Sequence, residues 1–202
     1  MTRLTRLFPP DAIRAAVRER YSDVAREPER GYNFPVGRAF AEAVGYPAVL
    51  LDALPSEAWA AFAGVACPVP AAELHPGERV IDLGCGAGLD TLYAARLVQP
   101  GGEVIGLDIS PDMIARATAA IAHAGARNAT ARLVEGETLP VPDAWADAVV
   151  VNGIFNLNPD KEALIAEVFR ILKPGGRLTA AEIVLSEPLP PGEGETLDDW
   201  FR

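Results

Sequence analysis

The sequence predicts an α/β protein, a parallel β-sheet wrapped by helices and entered through a helical segment without strands. Three observations predict it. From Pro76 onward, short β-rich runs alternate with helical stretches, the pattern of successive βαβ units. Glycine-rich breaks, "PGGEV" and "KPGGRL", stop two elements where the next run begins. Before Pro76 the apolar residues recur at helical spacing and no strand signal appears. The expected organisation is a helical cap over residues 1–75 and a core over residues 76–202.

In chain order, Ile13, Val17, Tyr21 and Val24 share one face of a helix from Pro10 to about Glu27. Asp11 lies in its first turn, where negative charge suits the helix dipole. "EPERGYNFPVG" reads as an irregular loop, and "YPAVLLDAL" and "PSEAWAAFAGV" as short helices. The strands of the core are "RVIDLG", "GEVIGLD", "TARLVEG", "ADAVVVNG" and "GRLTAAEIVL". Between them run the helices "LDTLYAARLV", "PDMIARATAAIAHAG" and "PDKEALIAEVFRIL", the last with Asn158 as N-cap and Pro159 at its first position.

Composition narrows the function classes. Of 202 residues half are apolar and 23% charged, enough for a real core. A formal net charge of −10 argues against a duplex nucleic-acid partner, which calls for a basic face. Cys67 and Cys85 have the spacing of neither a disulfide framework nor a zinc site, so no metal is expected and the compartment reads as reducing. The N-terminus has arginines but no apolar stretch of a signal peptide, and no run reaches the length of a membrane span. The expected setting is the cytoplasm, with no membrane partner.

The chemistry sits in two turns. "VIDLGCGAGLDT" is a strand, a glycine turn and a helix start, in which Gly84, Gly86 and Gly88 let a ligand approach the backbone. A phosphate loop would carry Gly-Lys-Ser/Thr, and no lysine is present; a dinucleotide fingerprint would carry a third glycine where Leu89 stands. "EVIGLDIS" ends on Asp108, roughly 20 residues past the glycine turn, where a carboxylate can accept hydrogen bonds from ribose hydroxyls. Ile109 and Met113 supply apolar surface for an adenine face.

"VIDLGCGAG", "VIGLDIS", "EGETLPVPDAWADAVVVN" and "EVFRILKPGGRL", in that order, resemble class I S-adenosylmethionine-dependent methyltransferases from about Pro76 to Leu185. The resemblance implies a Rossmann-like sheet and S-adenosylmethionine as cofactor. That family's sheet has seven strands in the order 3-2-1-4-5-7-6; five are legible here, so the expected order is 3-2-1-4-5, with strands 6 and 7 missing. It also implies that Asp82 and the turn of Gly84, Cys85, Gly86 and Gly88 face the methionine part. Asp108 then grips the ribose, and Glu137 with Thr138 meets the adenine edge, Glu135 being the alternative. Asn152 and Gly153 border the methyl group, and Tyr21 belongs to a segment folding over the cofactor.

Within the class, "VRERYSDVA", "NLNPDKEALIAEVFRILKPGGRL" and "LSEPLP" resemble arsenite methyltransferases, with ubiquinone/menaquinone C-methyltransferases next. Arsenite methyltransferases hold trivalent arsenic with thiolates. The positions concerned carry Gly153 and, near "GVACPVP", either Val65 or Cys67; a further one follows a Trp, here Trp200. The function expected is therefore methyl transfer to a small-molecule acceptor, with catalytic residues unassigned and no general base evident. The rivals are a S-adenosylmethionine-binding protein without transferase activity and a truncated selenocysteine-containing methyltransferase; a nicotinamide dehydrogenase stands further off. The strand "RLTAAEIVL" at the sheet edge, apolar and uncharged over most of its length, predicts either a homodimer through that edge or a reading frame closed early.

Overall fold

Strands β1 (Arg79–Leu83), β2 (Glu103–Asp108) and β4 (Ala146–Asn152) are buried on both faces over most of their length, as strands between two helix layers must be. The computed structural model describes residues 7–184, 186, 187 and 196. In it these strands pair in parallel with β3 (Ala129–Leu133) and β5 (Leu172–Ala181) in the order β3-β2-β1-β4-β5. This is the order the resemblance implies. Central β1 sets the register, with Val80 facing Val104 on one side and Ala148 on the other.

Alternation divides the sheet residues between two cores. Val80, Val104, Ala148 and Val150 enter one, and Ile81, Leu83, Ile105 and Val149 the other. Before the first strand come α1 (Pro10–Arg26), α2 (Arg38–Ala43), α3 (Ala48–Asp52), α4 (Ser56–Ala60) and a 3-10 turn at Val69–Ala72. Tyr46, Leu51, Leu54 and Phe62 from this segment join the first core, together with Leu92 of α5 (Leu89–Leu97) and Ile121 of α6 (Pro111–His123). On the opposite face α7 (Lys161–Ile171) contributes Leu164, Val168 and Ile171.

Two boundaries differ from expectation, each for a local reason. Asp160, not Asn158, caps α7: its carboxylate accepts from the amide of Ala163 at 3.1 Å, while Asn158 Oδ1 accepts from the amide of Asp160 at 2.7 Å. Asn158 thus makes a turn that delivers the cap. β5 begins at Leu172, ahead of "PGG", because Leu172 already pairs with Ala146 and the ladder absorbs the glycines in a register shift before Ala148. It ends at Ala181, so Glu182 lies past the strand; Leu185 and Trp200 lie outside the described residues. No helix among the described residues is long and apolar enough to cross a membrane.

Candidate functional site

The carboxyl ends of β1, β2 and β4 meet at a cavity of about 140 Å³. By the same measure a single water needs only about 10–15 Å³. The glycine turn after β1 forms its floor. The amides of Gly84 and Cys85 both donate to the carbonyl of Leu107, at 2.7 and 2.9 Å, which ties the turn to β2. Gly84 has φ +78°, and a Cβ there would collide with the Ile154 side chain.

Asp108 joins the two turns. Its Oδ2 accepts from the amide of Gly86 at 2.9 Å and its Oδ1 from the amide of Ser110 at 2.8 Å. Each oxygen keeps acceptor capacity for a ligand hydroxyl. Burial raises its carboxyl above the usual range, against these hydrogen bonds. Ser110 is also the N-cap of α6, accepting from the amide of Met113, so the turn that aims Asp108 is held by a helix start.

Two further carboxylates lie under and beside the turn. Asp82 is 2% exposed and accepts from the Thr91 hydroxyl at 2.5 Å. Burial first and Asp90 second push it up to about 8. Asp90, in the first turn of α5, is 6% exposed and borders the cavity. It accepts from the Tyr46 hydroxyl at 2.6 Å and from the Asn152 amide at 3.0 Å, and burial pushes it up to about 6. The partners of all three acids among the described residues are neutral donors.

The remaining wall comes from α1 and from the loops after β3 and β4. Tyr21 borders the cavity with its ring stacked on Phe34, centroids 6.0 Å apart; burial, then the Asp108 charge, raises its hydroxyl. Arg14 Nε donates to Glu137 Oε1 at 2.7 Å, so the carboxylate expected at the adenine edge already has a partner on α1. The hydroxyls of Ser22 and Ser110, 2.9 Å apart, and the Arg26–Asp112 pair at 3.0 Å fasten the same helix across the opening. Past β5, Glu182 accepts from the amides of Ile154, Phe155 and Asn156 at 2.9, 2.8 and 3.2 Å, which fixes the loop after β4.

Of the residues expected at the site, Tyr21, Gly84, Cys85, Gly86, Asp108, Ile109, Met113, Glu137 and Asn152 border the cavity. Asp82 lies beneath the turn, Gly88 packs against Ala117, and Thr138 is exposed; none of these three is on the wall. Arg14, Tyr46 and Asp90 escape a sequence reading built on motifs. The signal for Asp90 is an acid two residues past Gly88, inside the first turn of the following helix. Among the described residues no group of three His, Cys, Asp or Glu is placed to hold a metal.

The cysteines stand apart from the expected chemistry. Cys85 is buried in the glycine turn and its thiol is raised by burial, then by Asp108. Cys67 lies away from the cavity wall and is pushed up to about 12, by burial and then by Asp90. Gly153, where the resemblance places a thiol, meets Val65, one of the two candidates for another: a Cβ on Gly153 would lie 3.2 Å from Val65 Cγ1.

Comparison with known proteins agrees with this architecture. The family model for a methyltransferase domain matches residues 74–202. The chain is 40% identical over 151 residues to an arsenite methyltransferase of Halobacterium salinarum, covering 74% of this chain and 38% of that protein. It is 38% identical over 116 residues to a demethylmenaquinone methyltransferase of Thermus thermophilus, covering 56% and 49%. The chain thus spans less than half the length of these curated relatives. Among solved structures, an arsenic(III) S-adenosylmethionine methyltransferase from Chlamydomonas reinhardtii matches with a TM-score of 0.59 at 31% identity, over 77% of this chain and 52% of that one. A SAM-dependent methyltransferase from Aquifex aeolicus matches with a TM-score of 0.54 at 24% identity, over 61% and 67%, which bears on the fold alone.

Proposed function

Because the chain belongs to the methyltransferase-domain family of S-adenosylmethionine-dependent proteins, we propose that it binds S-adenosylmethionine and directs its methyl group to a small-molecule acceptor. The observation that carries this is electrostatic. Asp90 and Asp108 border the cavity and Asp82 lies beneath its floor, all with neutral partners, so a cationic ligand is favoured as it draws these raised carboxyls into their ionised forms. S-adenosylmethionine brings a sulfonium and an ammonium. A dinucleotide would instead bring a pyrophosphate against these acids, and the glycine turn itself carries no lysine to offset it.

The residues present fit the cofactor. Asp108 has acceptor capacity for ribose hydroxyls, Ile109 and Met113 are apolar neighbours for the base, and Tyr21 on α1 covers the opening. When bound, the cofactor supplies a methyl group already activated for in-line displacement. The chain contributes orientation and a dry wall: Phe62, Ile154 and Leu157 line the cavity around Asn152 and Gly153. In this reading residues 1–75 are the cap and residues 76–202 the cofactor-binding core.

The acceptor is a small molecule, and the thiol positions that fall within the described residues do not hold it. Val65 and Gly153 carry no sulfur, and the Cys67 thiol is kept protonated away from the wall. The acidic balance favours such an acceptor over nucleic acid, and two free cysteines suit the reducing cytoplasm. A second copy pairing along the outer edge of β5 is the partner that the exposed Leu178, Ile183 and Val184 favour.

Titration calorimetry with S-adenosylmethionine and with NAD(P) tests the reading. Binding of the first and not the second is expected; the reverse overturns it. Turnover in a panel of thiol, selenite and arsenite acceptors then separates an enzyme from a binding module, which would bind the cofactor and methylate nothing.

A further inference from the structure

Asn152 ends β4 at the cavity, where the family resemblance makes it a neighbour of the transferred methyl group. Its side chain is fully engaged within the protein. Oδ1 accepts from the amides of Val65 at 2.8 Å and Ala66 at 3.2 Å. Nδ2 donates to the carbonyl of Ala66 at 2.8 Å and to Asp90 Oδ2 at 3.0 Å, with the Tyr46 hydroxyl a further 3.2 Å contact. A carboxamide has two donor hydrogens and two acceptor lone pairs. All of them are used here, and none is left for a ligand.

Four parts of the chain meet at this side chain, its own strand included. Tyr46 comes from the connection between α2 and α3, Val65 and Ala66 from the loop after α4, Asp90 from α5 and Asn152 from β4. The loop sits directly on the strand end. A Cβ on Gly64 would lie 2.5 Å from Asn152 Nδ2, closer than real contacts allow. Beside it, Val65 fills the space over Gly153. Ala61, Phe62, Ala63 and Gly64 from the same stretch face the cavity, so whatever fixes Val65 and Ala66 fixes that wall.

We propose that Asn152 is a positioning residue: with Asp90 and Tyr46 it fastens the inner wall of the cap to the end of β4, and so shapes the acceptor side of the cavity instead of holding the cofactor. The name "acceptor side" rests on the methyltransferase reading; the fastening does not. The Asp90 carboxylate gives the node its strength, since hydrogen bonds to a charged acceptor in a dry setting outweigh neutral ones. It follows that acceptor selection belongs to the cap, and that changes at Asn152, which leave the Asp90 charge in place, alter which molecules enter without altering cofactor affinity.

The test uses the full chain, with amide hydrogen exchange read by NMR and cofactor affinity by calorimetry. In Asn152→Ala the amides of Val65 and Ala66 exchange at least tenfold faster, and the Kd for S-adenosylmethionine changes less than threefold. The swap Asp90→Asn with Asn152→Asp returns a carboxylate that accepts from both amides and an amide that donates to it, and gives up the bond to the Ala66 carbonyl. Exchange in the swap falls back to within threefold of the wild type, a rescue that general loss of packing cannot give. Unchanged exchange at Val65 and Ala66 in Asn152→Ala overturns the proposal, as does a swap no better than the single change. If Asn152→Ala fails to fold, Gly64→Ala drives a methyl into the same amide from the other side and must give the same exchange signature. A wild-type chain that fails to bind S-adenosylmethionine defeats the functional reading alone, because the exchange result does not depend on the cofactor.

Discussion

Asp82 and Asp90 are held where carboxylates are costly, and their titration makes the cost measurable. Burial raises both, Asp90 to about 6 and Asp82 to about 8, against roughly 3.9 in an unfolded chain. The folded state therefore binds more protons than the unfolded state between these values. Stability from these groups is complete below about pH 4 and is lost as pH rises through 6 and then 8. The unliganded protein should melt several degrees lower at pH 8 than at pH 6, since about 1 kcal/mol moves Tm by about 2–4 °C at this size. Asp82→Asn keeps an oxygen for Thr91 and removes the charge, so it should raise Tm at pH 8 far more than at pH 4, below which the acid costs nothing; scanning calorimetry at the two pH values checks this. A Tm that climbs from pH 6 to 8 in the wild type would show that the acids are not burdened. A cationic cofactor acts in the opposite sense, because it favours the ionised forms. Its affinity should rise by about tenfold from pH 6 to 8, with net proton release at pH 7, read from binding enthalpies in buffers of differing ionisation enthalpy. Uptake of protons on binding would contradict a cation meeting these acids.

Elements aim these residues, and the loop after β4 depends on one side chain. Glu182 accepts from three successive amides, Ile154 to Asn156, and the Lys161 ammonium donates to the Phe155 carbonyl of the same loop. Burial lowers the Lys161 ammonium while the Glu182 charge opposes that, so the two residues support one another through the loop. Glu182→Gln leaves one acceptor oxygen and turns a donor toward the amides. It should cost about 1.5–3 kcal/mol, the range for bonds to a charged group, and speed exchange at Ile154 to Asn156; a Tm within one degree of wild type would refute this role. Glu182 also marks the limit of what the sequence discloses. As a lone acid after an apolar run it can be placed near an edge, but its partners lie across a sheet neighbour, 26 to 28 residues earlier in the chain. The parallel strands are legible because β-rich runs, helical periodicity and glycine breaks are local signals, and their order because the ordered motifs resemble a known family. Asp108 is legible for the same reason, since a strand end and the following N-cap fix it. Asp90, Tyr46 and Arg14 are not, because their roles arise when the cap, whose sequence carries no motif, docks on the core.

At the scale of the whole molecule, the two faces of the sheet end differently. The face shared with the cap is closed by Leu51, Leu54 and Phe62. Around α7 and β5 the apolar side chains remain outside: Phe169 is 83% exposed, Val184 81% and Ile183 57%, with Ile165 and Leu178 beside them in the same class. They flank a strand paired on one edge only among the described residues, with backbone donors and acceptors along the other. Two copies can satisfy both deficits at once about a two-fold axis, which sets β5 antiparallel to its twin and continues the sheet across the pair. Such an interface is self-complementary, so one charge introduced near the axis meets its own copy. The 21.4 kDa chain should therefore sediment at twice that mass at tens of micromolar. Val184→Glu should return it to the single mass with an unchanged circular dichroism spectrum, because Val184 takes no part in the cores. A wild-type chain that sediments as one copy up to about 100 µM would leave the apolar face to another partner and remove the second copy from the account, while the cavity at the ends of β1, β2 and β4 stays as described.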